Sequence, residues 1–266
     1  MTSSTFPPHS SVFKTHIRVV AALTIREMTT RYGRKIGGYF WAILDPVAFI
    51  GLMSIVFSSV SHTPPIGRSF MLFYATGYLS FWIYRTLAEQ TSTAVKFNKS
   101  LLTYPVVTPY DAVLARAALQ IVTQFIVCTI IFGGMAFFIT PFPSIDFANL
   151  MGATIVATGL GFGIGLLNTT LFNLSGLYER IFTIANRPLF LISGVFFLPD
   201  SIPTPYRDYL LWNPIVHIIG WFRRAFYPAY RAAYVDETWL ISLAFGSTLA
   251  GLVLLKIFGT RLRESE

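Results

Sequence analysis

Apolar residues along this chain run in long unbroken stretches, and the first of them emerges without a turn signal from a cationic segment, IREMTTRYGRKIGGYFWAILDPV, between Ile25 and Val47. A hydrocarbon slab about 30 Å thick is crossed by roughly 20 helical residues. On that ruler six stretches qualify, at approximately 37–60, 70–92, 110–139, 148–172, 181–199 and 238–258. The pattern predicts an all-α integral membrane protein with six transmembrane helices. The third stretch has 30 residues and would reach about 45 Å as a helix, so it is expected to project into the cytoplasm.

Three segments outside these stretches carry patterns of their own. Residues 12–35 form an interfacial amphipathic helix on a helical wheel, with Lys14, Thr15, Arg18, Arg26 and Thr29 on one face and Val12, Phe13, Ile17, Val20 and Leu23 on the other. The polar, Pro-rich residues 1–11 ahead of it read as a disordered cytoplasmic tail, with no signal-peptide core behind them. Residues 96–109, KFNKSLLTYPVVTP, join two lysines to the Leu101-Leu102 pair and to two prolines that bound a short helical piece. Between the fifth and sixth stretches, residues 200–236 are too apolar for an ordinary loop. Asn213-Pro214 divides them into helix candidates Tyr206 to Trp212 and Pro214 to Phe226. Neither can cross a bilayer, and a re-entrant helical hairpin at the outer, periplasmic interface is expected.

Composition agrees: 54% of the 266 residues are hydrophobic and 12% charged, about half the charge of a soluble domain. The net charge of +8 comes from short basic clusters beside apolar stretches, which argues for topology signals rather than a nucleic-acid surface. With six spans, one side takes twelve basic residues (Lys14, Arg18, Arg26, Arg31, Arg34, Lys35, Lys96, Lys99, Arg180, Lys256, Arg261, Arg263) and the other five (Arg68, Arg207, Arg223, Arg224, Arg231). The positive-inside rule then puts both termini in the cytoplasm. The single cysteine, Cys128, excludes an intramolecular disulfide. No second folded domain is evident and no GxxxxGK[ST] motif occurs, so a soluble motor must be another chain.

Charges inside apolar stretches are costly and require a reason. Arg85 and Glu89 have the spacing of a helix ion pair, Asp45 and the Asp111/Arg116 pair lie near span ends, and Glu179 and Arg180 can snorkel. Arg187, deeper and followed by Pro188, marks the best substrate-facing position. With Arg85 and the rings of Trp41, Tyr78 and Trp82 it would offer charge and stacking along one continuous surface. Gly159, Gly161, Gly163 and Gly165 lack a preceding strand, so they make overlapping GxxxG packing patterns rather than a phosphate cradle. His217 and His62 have no companions at metal-ligand spacing.

Arg26-Glu27, Arg31-Tyr32-Gly33-Arg34, Gly37, Trp41 and Pro46, with Asn213-Pro214 and His217 later, resemble the permease subunits of ABC-2 type polysaccharide exporters, especially capsular polysaccharide export permeases of KpsM type. The resemblance runs from about residue 12 to the C-terminus; Asp45 departs from it, standing where Glu is expected. It implies ATP-driven export of a capsular, lipid-linked polysaccharide across the bacterial inner membrane by a homodimer enclosing a channel. Two ATP-binding cassette subunits would hold the ATP and Mg²⁺, leaving this chain without a cofactor. A periplasmic adaptor and an outer-membrane export protein would complete the path. The resemblance places the ATPase contact at the interface helix and at the coupling segment 96–109, hence Arg26, Glu27, Arg31, Tyr32, Lys96, Lys99, Leu101, Leu102 and Tyr104. It makes residues 200–236 a periplasmic gate around Trp212, Asn213, Pro214 and His217. Export of O antigen, teichoic acid or a small drug, a passive channel, and an intramembrane glycosyl- or acyl-transferase stay open as alternatives. The transferase is disfavoured because the one adjacent acidic pair, Asp236-Glu237, falls on the outer side.

Overall fold

The computed structural model describes residues 9–32 and 38–264, and every regular element among them is helical. In chain order these are α1 (His9–Tyr32), α2 (Gly38–Val60), α3 (Phe70–Ser92), α4 (Ala94–Phe97) with a 3₁₀ turn at Lys99–Leu101, and α5 (Pro109–Phe138). There follow α6 (Phe147–Leu174), α7 (Gly176–Leu191), α8 (Tyr206–Leu210), α9 (Pro214–Phe226) and α10 (Glu237–Glu264). α1 takes in residues 9–11 of the expected tail; residues 1–8, and Gly33, Arg34, Lys35 and Gly37, lie outside the described residues.

Local chemistry sets the helix starts. Thr108 and Asp111 form a reciprocal capping box at α5, with Pro109 in its first turn. Asp146 caps α6, Ser175 caps α7, and Asn213 accepts from Ile215 N to open α9 on Pro214. In residues 96–109 the helical turns precede Pro105 instead of lying between the two prolines.

Four helices among the described residues are long and apolar enough to cross a membrane: Gly38–Val60, Pro109–Phe138, Phe147–Leu174 and Glu237–Leu262. The other two expected spans differ from them for separate reasons. α3 is 23 residues long but carries Thr76, Ser80, Thr86, Thr91 and Ser92 beside Arg85 and Glu89. It lies at the centre of the bundle, most of its residues buried, so it meets other helices rather than lipid. Thr76, Ser80, Thr86 and Ser92 donate to carbonyls three or four residues back in the helix, which satisfies them without a partner helix. α7 has 16 residues, about 24 Å, and stops at Leu191, eight residues short of the expected end at 199.

α6 is wedged between α3 and α10 by its glycines, as the GxxxG spacing predicts. A Cβ on Gly161 would lie 2.6 Å from Tyr84 O, and one on Gly165 2.5 Å from Thr91 Cβ, both on α3. On the opposite side a Cβ on Gly163 would lie 2.2 Å from Ser247 Oγ of α10. One pattern therefore serves each neighbour, and backbones approach where dispersion between them is strongest. The short elements gather at the two ends of the bundle. α1, α4 and the start of α5 occupy one, and α8, α9 and the loops beside them the other.

Candidate functional site

At the α1 end, polar side chains from three segments converge below the surface. Glu27 of α1 and Arg116 of α5 are 7% and 5% exposed, with Arg116 Nε 3.3 Å from Glu27 Oε2. Asn98, between α4 and the 3₁₀ turn, donates from Nδ2 to Glu27 Oε1 at 3.1 Å and accepts at Oδ1 from Arg26 Nη1 at 3.1 Å. Arg116 also donates to Thr93 Oγ1 at 3.1 Å and lies 4.3 Å from the centre of the Phe97 ring. One turn on, Arg31 donates to Gln120 Oε1 at 3.0 Å, and Gln120 and Gln124 both donate to Thr86 Oγ1 of α3. His16 reaches Asp111 Oδ1 at 2.9 Å. The cluster walls a cavity of about 600 Å³.

This arrangement corrects the wheel. The side of α1 that packs on α5 includes Leu23 and Glu27, whereas Ile17, assigned to the apolar face, is half exposed. The reason is Arg116: a buried cation is costly unless its charge or its donors are satisfied, and here Glu27 supplies the carboxylate, which only the tertiary fold shows. Glu27 is thus held inside the subunit and offers no surface to a partner. Of the other expected contact residues, Arg26 and Arg31 hold Asn98 and Gln120, Lys96 pairs with Glu179 of α7, and Leu102 is buried in a small apolar cluster. Leu101 is half buried; Lys99 and Tyr104 are exposed, as is Phe97, which the sequence reading passed over. The side chain of Tyr32 lies outside the described residues.

The expected substrate-facing residues divide among three places. Arg85 and Arg187 line one cleft of about 320 Å³ together with Glu89, Phe182, Thr183 and Asn186. Arg85 Nε pairs with Glu89 Oε1 at 2.7 Å, whereas Arg187 is exposed and makes no ion pair or hydrogen bond among the described residues. Trp41 and Trp82 line a second cleft of about 270 Å³ with Asp45 and Arg31. Tyr78 belongs to neither; its ring stacks on Phe49 at 4.1 Å and meets Phe190 edge-on.

At the far end, α8 stops at Leu210 and α9 starts at Pro214, so Asn213-Pro214 is the break that was expected. Asn213 Nδ2 also donates to Ser193 Oγ at 3.2 Å, and Trp212 is 82% exposed. His217 joins three pieces of chain. Its Nδ1 accepts from Asp236 N at 3.1 Å, which requires that nitrogen to be unprotonated, so Nε2 carries the hydrogen and donates to Leu211 O at 2.8 Å. Burial first of all lowers its pKa, against opposing effects of the Leu211 bond and Asp236. No cluster of three or more His, Cys, Asp or Glu among the described residues is placed for a metal.

α9 is packed into the bundle. Every residue in it except Pro214 and Arg224 is buried, against α3 and α6. Arg223, assigned to the outer surface by charge counting, is fully buried. It donates from Nη1 to Gly194 O at 2.8 Å and Phe197 O at 3.2 Å, and from Nη2 to Val195 O at 2.9 Å, above the Phe73 ring. These bonds hold the turn that ends α7. The available signal was a cation at the end of a short, largely apolar run, Ile215 to Phe222, a position that marks a candidate functional site.

Residues 18–227 match the family model described as ABC-2 type transporter. The chain belongs to the ABC-2 type transporter family. Relatives in this family align over nearly their whole length. Polysialic acid transport protein KpsM of Escherichia coli is 31% identical over 249 residues, covering 92% of this chain and 95% of that protein. Capsule polysaccharide export inner-membrane protein BexB of Haemophilus influenzae is 25% identical, with 91% of each chain covered. CtrC, the capsule polysaccharide export inner-membrane protein of Neisseria meningitidis serogroup B, is 24% identical at the same coverage.

Proposed function

We propose that this chain is the permease subunit of an ATP-driven exporter that carries capsular polysaccharide, attached to a lipid, out across the bacterial inner membrane. The near end-to-end match to the polysialic acid transport protein carries this reading. ATP and Mg²⁺ belong to separate ATP-binding cassette subunits, two of them beneath a homodimer of this chain. In that assembly α3 and α7 cross the membrane with the four more apolar helices, and both termini are cytoplasmic. The exposed tip Phe97, Lys99 and Tyr104, together with the outer face of α1, receives the ATPase. Exposure of these side chains beside a buried polar cluster supports that assignment.

Glycan passes the cleft of Arg85 and Arg187, where cationic and aromatic groups replace part of its water. α8 and α9 close the far end, and a periplasmic adaptor and an outer-membrane export protein continue the route. Copurification tests the subunit arrangement: a cytoplasmic ATPase should come down with the tagged permease, and a permease that purifies only with itself would overturn it.

A further inference from the structure

The pieces between α3 and α5 are too short to be stiff alone. α4 has four residues and the 3₁₀ turn three, far below the length at which a helix holds itself. Their rigidity must come from what they touch: Lys96 pairs with Glu179 of α7, the Phe97 ring lies against Arg116 of α5, and two further anchors are buried. Leu102 sits in an apolar cluster with Ala94, Val95 and Val113. Asn98, 2% exposed, has its amide engaged at both ends by α1: Glu27 accepts from it and Arg26 donates to it. Glu27 in turn neutralises Arg116 of α5. A buried ion pair is a weak source of net stability, and its best-attested use is to fix one arrangement among several.

We propose that Glu27, Asn98 and Arg116 are positioning residues that brace α1, the segment 94–107 and α5 into one body. Displacement imposed on the exposed tip then reaches α5 and, through Gln120 and Thr86, α3, instead of being absorbed by bending of the segment. The proposal rests on reading that tip as the ATPase contact.

Asn98→Ala tests it, because it cuts the hydrogen bonds from α1 to the segment, together with the amide's own bond to Ala94 O, while leaving Glu27 and Arg116 to neutralise each other. Hydrogen exchange on the isolated permease should show residues 94–107 losing protection while α5 keeps its own. In the assembled complex, ATP hydrolysis and subunit copurification should stay near wild type while polysaccharide exported per ATP falls about two- to thirtyfold, the range of coupling mutations. Glu27→Asp should export more than Glu27→Ala at equal assembly. An Asn98→Ala variant with unchanged exchange in 94–107, or with an unchanged export-to-hydrolysis ratio, would overturn the brace. Failure of the wild-type permease to bind any ATPase would instead sink the reading of the tip, and the exchange measurement would still decide the brace.

Discussion

Gly77 of α3 faces the guanidinium of Arg223: a Cβ there would lie 2.8 Å from Nη2 and 3.0 Å from Val195 O. The arginine cannot swing aside cheaply, since Nη1 and Nη2 are tied to the carbonyls of residues 194, 195 and 197. Gly77→Ala should therefore destabilise the permease by about 1–3 kcal/mol, the usual range for overpacking. Arg223→Leu should cost at least as much, because each buried carbonyl losing its donor is worth about 1–3 kcal/mol. Thermal unfolding in detergent measures both, and a Gly77→Ala melt matching wild type would show the fork is not held as described.

The α6 glycines differ in what they permit. Gly161→Ala pushes against the Tyr84 backbone oxygen, while a Cβ on Gly159 would meet only Ala244 Cβ at an ordinary 3.5 Å. Folded yield should drop for Gly161→Ala and hold for Gly159→Ala. Equal yields would mean that α6 does not depend on close backbone approach to α3.

His217 makes the far end sensitive to acid. Its folded pKa is lowered from the ordinary 6.5, so its contribution is complete above that value, where both states are neutral. The contribution is lost as pH falls below 6.5 through the folded value, because the unfolded chain takes up the proton first. Groups facing it are Asp236, Tyr234 and Trp239. Exchange protection of α8 and α9 should weaken on acidification from pH 7 toward 5 in wild type; in His217→Phe it should be low already and flatter with pH. A wild-type profile as flat as that of the variant would dismiss the clasp.

Both cations of the cleft are exposed, but Arg85 is paired with Glu89 whereas Arg187 makes no ion pair among the described residues. Arg187→Ala should reduce surface polysaccharide with the complex still assembled, and Arg187→Lys should retain more. Loss of export matched by loss of assembled complex would make Arg187 structural.

Much of the architecture was legible where its cause is local. The Asn213-Pro214 break, the 30 residues of α5, the Arg85–Glu89 pair and the two glycine patterns each depend on neighbours a few positions apart. What stayed hidden depends on distant partners. Glu27 is buried because Arg116 is, and nothing near either residue says so. Arg223 is satisfied by backbone carbonyls, which carry no sequence signature, and those same bonds end α7 early while the apolar run continues. α3, counted as a span from its length, is not among the four most apolar helices because it carries Thr, Ser, Arg and Glu side chains, several of them buried in the bundle.

The central claim is that this chain moves polysaccharide using ATP hydrolysed by a partner. The most direct measurement is transport in sealed vesicles holding the permease with its copurified ATPase and a radiolabelled lipid-linked capsular glycan. The account predicts that labelled glycan becomes protected from an external glycanase only when ATP and Mg²⁺ are supplied on the α1 side. Protection that is equal without ATP, or with an ATPase unable to hydrolyse it, would contradict the account and favour a passive channel.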